Sequence, residues 1–276
     1  MLGVFAGLLA LAVFGPALAQ PADHHGFADQ RGWLGIPYAV DVLSNLPFAL
    51  FGFAGLVCCG RLPAAVDPVQ RALAVLFFGG LMVTAGASAW YHWQPVDAGL
   101  AVDRCGMAVA FAGLLGLVVA GRVSARAGAA VAAATLLLGP LSVWAWAESG
   151  NVLPWAVVQF GGMGLVLWMA ACKPLAGAWP VRWAAVVLIY AAAKGLEQAD
   201  HWIFALDQGW ISGHSLKHVV ASLAAWPVLV ALRCAMRGAV GAPLDSRQNP
   251  AGTGGAALAV PRLQPQRLTI GARHGS

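Results

Sequence analysis

Long apolar runs separated by short polar connections set the pattern of this chain. Seven such runs recur, at roughly 37–59, 70–92, 104–121, 128–147, 152–172, 183–204 and 213–234. Each is close to the ~20 residues that an α-helix needs to cross the hydrocarbon core of a bilayer. Their uniform apolarity, without alternation of period two, disfavours the strands of a membrane barrel. Short connections make sequence neighbours antiparallel partners. The pattern predicts an all-α integral membrane protein, with a seven-transmembrane-helix bundle over residues 37–235.

Two segments frame the bundle. Residues 1–19 are apolar and end Ala17-Leu18-Ala19 before Gln20, the form of a signal-peptide cleavage site. They carry no positive leading region, so an uncleaved anchor helix is the alternative. Residues 20–36, with Asp23, His24, His25, Asp29 and Arg31, form an external polar segment. From about residue 238 Gly, Pro, Gln and Arg dominate, and 236–276 is expected to be a disordered cytoplasmic tail.

Composition strengthens the membrane reading. The 276 residues are 60% hydrophobic and 10% charged, whereas soluble domains average about 25% charged. The net charge of +5 is scattered over short loops, which speaks for membrane orientation and against a nucleic-acid partner. Arg61 with Arg71, Arg122 with Arg126, Lys173 with Arg182, and Arg233 with Arg237 mark alternate connections as cytoplasmic. The intervening connections carry Asp97, Asp103 with Arg104, then Glu148, then Asp207. The bundle therefore starts outside and ends in the cytoplasm. Trp90, Trp93, Trp144, Trp146, Trp155, Trp202 and Trp210 lie near run ends and read as an interfacial belt. The five cysteines have no metal-type spacing and read as small buried apolar residues.

Candidate chemistry gathers at one level. His214 and His218 lie one turn apart on one face of the last helix, and His92 closes the second. Ser88 is one turn deeper than His92, and Asp103 follows across a short loop. With the orientation above, all five fall within about one ~6 Å step of the same depth, near the outer face. Three imidazoles with one coordination position left over suit a catalytic zinc ion, although iron and copper also accept them.

Further polar groups surround this level. Lys194, Glu197, Asp200 and His201 on the sixth run form either a self-neutralised seam against the seventh helix or a supporting shell for the site. Glu197 and Asp200 are the favoured supports, and Asn45, with Asp41 four residues before it, is another. His24 and His25 read as exposed loop residues.

The segments Asp41-Val42-Leu43-Ser44-Asn45-Leu46, Ser88-Ala89-Trp90-Tyr91-His92, Asp103-Arg104 and His214-Ser215-Leu216-Lys217-His218 appear in this order. Over about residues 25–235 they resemble the alkaline ceramidase family, part of a group of seven-helix intramembrane hydrolases that includes adiponectin-receptor-like proteins. The resemblance implies zinc held by His92, His214 and His218, with Ser88 and Asp103 beside it. It implies hydrolysis of the amide of ceramide or another N-acyl lipid to a sphingoid base and a fatty acid. Asp103 would take the proton of the attacking water and pass it to the leaving amine, while Ser88 would donate to the developing oxyanion. Eukaryotic members also carry N-terminal acidic residues that bind calcium. Here that region offers only Asp23, Asp29 and Asp41, with no glutamate, so a calcium site is not expected.

Other classes make different demands. A receptor or sensor of the same group would use the zinc structurally. A retinal protein would need Lys217 near mid-membrane, but it lies near a helix end between the two histidines. A haem-binding bundle would show its colour.

Overall fold

Each apolar run becomes helical in the computed structural model, which describes residues 2–240. In chain order the helices are α1 (Leu2–Phe14), α2 (Ala39–Leu43), α3 (Leu46–Gly60), α4 (Pro68–Trp93), α5 (Asp97–Ala120) and α6 (Ala125–Ser149). There follow α7 (Leu153–Ala156), a π-helical turn (Val157–Gly161), α8 (Gly162–Ala171), α9 (Trp183–Gln198), α10 (Asp200–Leu206), α11 (Gly213–Leu223) and α12 (Trp226–Val240). Among the described residues there is no strand, only the isolated bridges Ala19–Asn151 and Trp33–Ile36.

Proline explains where two runs break. Its ring clashes with the carbonyl four residues earlier and it lacks an N–H. Four residues before Pro47 stands Leu43, the end of α2, and four before Pro227 stands Leu223, the end of α11. The pairs α2–α3 and α11–α12 still continue as spans, Ala39–Gly60 and Gly213–Met236. With α4, α5, α6 and Leu153–Ala171 they make six helices long and apolar enough to cross a membrane. The run expected at 183–204 differs: it divides at Ala199 into α9, of 16 residues, and α10, of 7.

Several boundaries also shift. The helix expected from 104 begins at Asp97, where a carboxylate in the first turn complements the helix dipole. Asp103 and Arg104 are therefore inside α5 and not in a loop ahead of it. The last helix runs on to Val240, past the expected boundary at 235, and the rest of the expected tail lies outside the described residues. Residues 2–14 are helical, and Leu8 packs at Gly161 of the π-helical turn.

The outer surface fits a multi-pass membrane protein. Leu50, Leu137, Trp144 and Leu188 project from it more than 60% exposed, which water would penalise and lipid does not. Trp90, Trp93, Trp202 and Trp210 are exposed as an interfacial belt requires, but Trp146 and Trp155 are buried. The Arg104 guanidinium lies 4.2 Å from the Trp146 ring, and this cation–π contact gives that tryptophan an internal role.

Antiparallel packing of α4 and α5 sets the site's register. Gly113 lies against the backbone of Phe77, Gly80 against Ala110, Gly106 against Ala87, and Gly99 against Tyr91. A Cβ on Gly106 would lie 2.9 Å from that of Ala87, so the backbones approach more closely than larger residues permit. Asp103 lies between Gly99 and Gly106, which places it opposite Ser88.

Candidate metal centre

His92 comes from the last turn of α4, and His214 and His218 from the first turns of α11. All three are buried. Each pair of ring centroids is 4.9 Å apart. The Nε2 atoms of His92 and His214 face each other at 3.3 Å, and the ligand atoms of all three residues lie within 4.8 Å of one another.

Ser44 Oγ lies 2.9 Å from Asp41 O and 2.8 Å from His218 Nδ1. With the hydroxyl hydrogen on Asp41 O, His218 donates from Nδ1 and keeps the Nε2 lone pair for a ligand. Bonds of ~2.0–2.1 Å to a tetrahedral ion such as zinc would space nitrogens about 3.3 Å apart. The donor set fits: three buried imidazoles can hold a metal ion here.

The start of α11 is fastened from two sides. Ser215 Oγ donates to Asp41 Oδ1 at 2.5 Å, tying α11 to α2. Ser212 Oγ accepts from Ser215 N at 3.0 Å and caps the helix. On the other side, His214 N donates to Asp200 Oδ1 at 2.8 Å. Gly213 permits this contact, because a Cβ there would lie 2.8 Å from Asp200 Cα.

Ser88 and Asp103 are buried together, and the hydroxyl approaches the carboxyl. Asp103 Oδ1 has no hydrogen-bond partner. A buried, unpartnered carboxylate oxygen is costly unless something else meets it. Arg104, next in sequence, donates through Nη2 to Gln20 Oε1 at 2.6 Å.

The other expected supports act less directly. Asp200 holds the backbone of His214 and, through Oδ2, Ala28 N at 3.0 Å. Glu197 is shared by Lys194 and Lys217, with 2.6 Å to the latter, and so forms the seam between α9 and α11. Asn45 donates to Asp41 O at 2.9 Å and steadies the turn that carries Ser44. The imidazole's actual partner is Ser44, which sequence reasoning passed over; its place three residues after Asp41, beside a proline break, was the available signal.

Residues 20–36 close the end of the bundle that holds the histidines. Phe27 is 4% exposed, and its ring centroid lies 4.7 Å from that of His92 and 4.4 Å from that of His214. Nothing in the sequence pattern singled it out. His201 Nε2 meets Gly26 O at 2.8 Å, and Arg31 spans Asp29 and Trp210 O. Burial alone would raise the Asp29 carboxyl, but the Arg31 side chain and N–H hold it below the usual aspartate range.

His24 and His25 are not free loop residues. Both point Nε2 at Asp97 Oδ1, at 2.9 and 3.1 Å, and these three residues form a second group with metal-ligand spacing. Burial, then the neighbouring His24, lowers the His25 imidazole below its usual range.

Fold and site together define a multi-pass, all-α membrane protein with a buried three-histidine group able to hold a metal ion. No protein-family model matches the chain, and no curated protein matches it either.

Proposed function

We propose that this protein is a zinc-dependent intramembrane amidase of alkaline ceramidase type, cleaving the N-acyl bond of ceramide-like lipids. In this reading α9 and α10 complete a seventh span. The Lys/Arg-rich connections face the cytoplasm, which turns the histidine site toward the periplasmic or lumenal side. The reading is carried by the convergence of three imidazoles from α4 and α11, at the level where Asp103 keeps an unpartnered oxygen opposite Ser88.

The chain's own groups divide the work. His92, His214 and His218 hold the metal, which when bound supplies Lewis acidity toward water and the amide carbonyl. Asp103 accepts the proton of the attacking water at Oδ1 and delivers it to the leaving nitrogen. Ser88 donates to the carbonyl oxygen as that atom gains charge. The apolar bundle receives the lipid chains.

One observation favours a second reading. Phe27 lies against two of the imidazoles, and a site closed in this way suits a receptor or sensor with a structural zinc.

Metal analysis of purified protein, together with fatty-acid release from ceramide in mixed micelles, separates the two. The amidase reading expects bound zinc and turnover in the parent, loss of both in His218→Ala, and loss of turnover with zinc retained in Ser88→Ala. Zinc without cleavage of any N-acyl lipid would hand the protein to the receptor reading.

A further inference from the structure

Outside the three-histidine centre, His24, His25 and Asp97 are the other group with metal-ligand spacing among the described residues. His24 Nδ1 lies 2.6 Å from Pro21 O, and its Nε2 lies 2.9 Å from Asp97 Oδ1. A carbonyl and a carboxylate only accept, whereas a neutral imidazole has one N–H. One nitrogen of a neutral His24 would therefore press a lone pair against an oxygen.

His25 crowds the same point. Its Nε2 lies 3.1 Å from the same Asp97 oxygen, while its Nδ1 meets the Tyr91 hydroxyl at 2.8 Å. The two imidazole rings are tilted by 45°, with centroids 3.9 Å apart. Placing a second proton on His24 would satisfy its bonds through an ion pair with Asp97.

A metal cation would meet all three ligand atoms at once. We propose that His24 Nε2, His25 Nε2 and Asp97 Oδ1 form a second site for a divalent transition-metal ion. Two imidazoles and a carboxylate are a common donor set for such ions. Ligand-atom separations of 2.9 and 3.1 Å need only a slight opening to accommodate bonds of ~2.0–2.1 Å. The Nδ1 partners, Pro21 O and the Tyr91 hydroxyl, are the outer hydrogen bonds that orient a ligating histidine. Asp97 is 70% exposed, which leaves the remaining coordination positions to water and the ion exchangeable with the medium.

This position gives the ion a consequence. It joins the 20–36 segment to the first turn of α5, two residues from Phe27, which covers His92 and His214. Binding there holds the cover over the inner site.

The test uses metal-stripped, full-length protein in detergent, titrated with Co2+. Bound equivalents are counted by elemental analysis after equilibrium dialysis, and circular dichroism checks the fold. Two equivalents are expected for the parent and one each for His24→Ala, for Asp97→Asn and for His218→Ala. Amide exchange at residues 24–29 should slow with Co2+ in the parent but not in Asp97→Asn. Full binding by both outer variants would overturn the proposal, as would a parent that binds a single ion lost in His218→Ala. A single ion that survives His218→Ala and is lost in Asp97→Asn would uphold it while removing the inner centre; no binding at all would end both.

Discussion

The two halves of α5 are both buried against α4, but by opposite means. From Ala108 to Ala120 every residue is apolar or glycine and all but the half-buried Val109 are buried, enclosed by the core around Phe77, Phe78, Leu114 and Val118. From Asp97 to Arg104 the helix instead brings a carboxylate and a guanidinium inside. Asp103 Oδ1, Arg104 Nη1 and, across on α4, His92 Nδ1 are buried without hydrogen-bond partners. The lower half gains stability from close packing. The upper half gives some up by leaving buried polar groups incompletely satisfied.

Substitutions can break this contrast. The largest effect is expected at Gly113→Leu in the lower half, where a side chain would run into the Phe77 backbone. Overpacking costs typically 1–3 kcal/mol even when side chains can yield, and backbone cannot. Detergent-solubilised yield and Tm should fall sharply, whereas Gly79→Ala, which faces open space, should leave both unchanged.

In the upper half, on the proposed amidase reading, activity should fail before the fold does. Asp103→Asn should cost about 10²–10⁴ in amide hydrolysis, and Ser88→Ala about 10²–10³. Both should retain the helix content of the parent by circular dichroism. Equal loss of Tm and activity would mean that the two halves do not differ as argued.

Smaller effects sharpen the picture at the rim. Asp200→Ala strands the N–H groups of His214 and Ala28, at a cost of about 1–3 kcal/mol. It should speed amide exchange at residues 26–30 and weaken metal binding without abolishing it. The Asp29–Arg31 pair should make the smallest contribution, because Arg31 is half exposed. Arg31 lowers the Asp29 pKa in the folded state, so the pair's stabilisation is complete above the ordinary aspartate value of about 3.9. It is lost as pH falls further, through the lowered folded value. Tm measured below that range should converge with that of Asp29→Asn.

Much of the frame was legible from pattern because lipid-facing helices must be long and apolar. Proline positions could have told where two of them break, since Leu43 and Leu223 stand four residues before Pro47 and Pro227. The division of the sixth run at Ala199 left no comparable mark, as it goes with the bonds Asp200 makes to His214 and Ala28. The histidines at 92, 214 and 218 stood out because imidazoles are rare in apolar helices. Ser44 and Phe27 did not, since one hydroxyl and one phenylalanine are ordinary there.

What the sequence determined by itself was local: helix length, apolarity, and the one-turn spacing of His214 and His218. Those follow from the 1.5 Å rise and the solvent each residue must face. Only the tertiary structure decided which polar atoms meet. It set Ser44 on His218, Asp200 on the His214 backbone, and His24 with His25 on Asp97. Such pairings depend on helix register and on close glycine contacts between segments up to 174 positions apart, and no periodicity within a single helix encodes them.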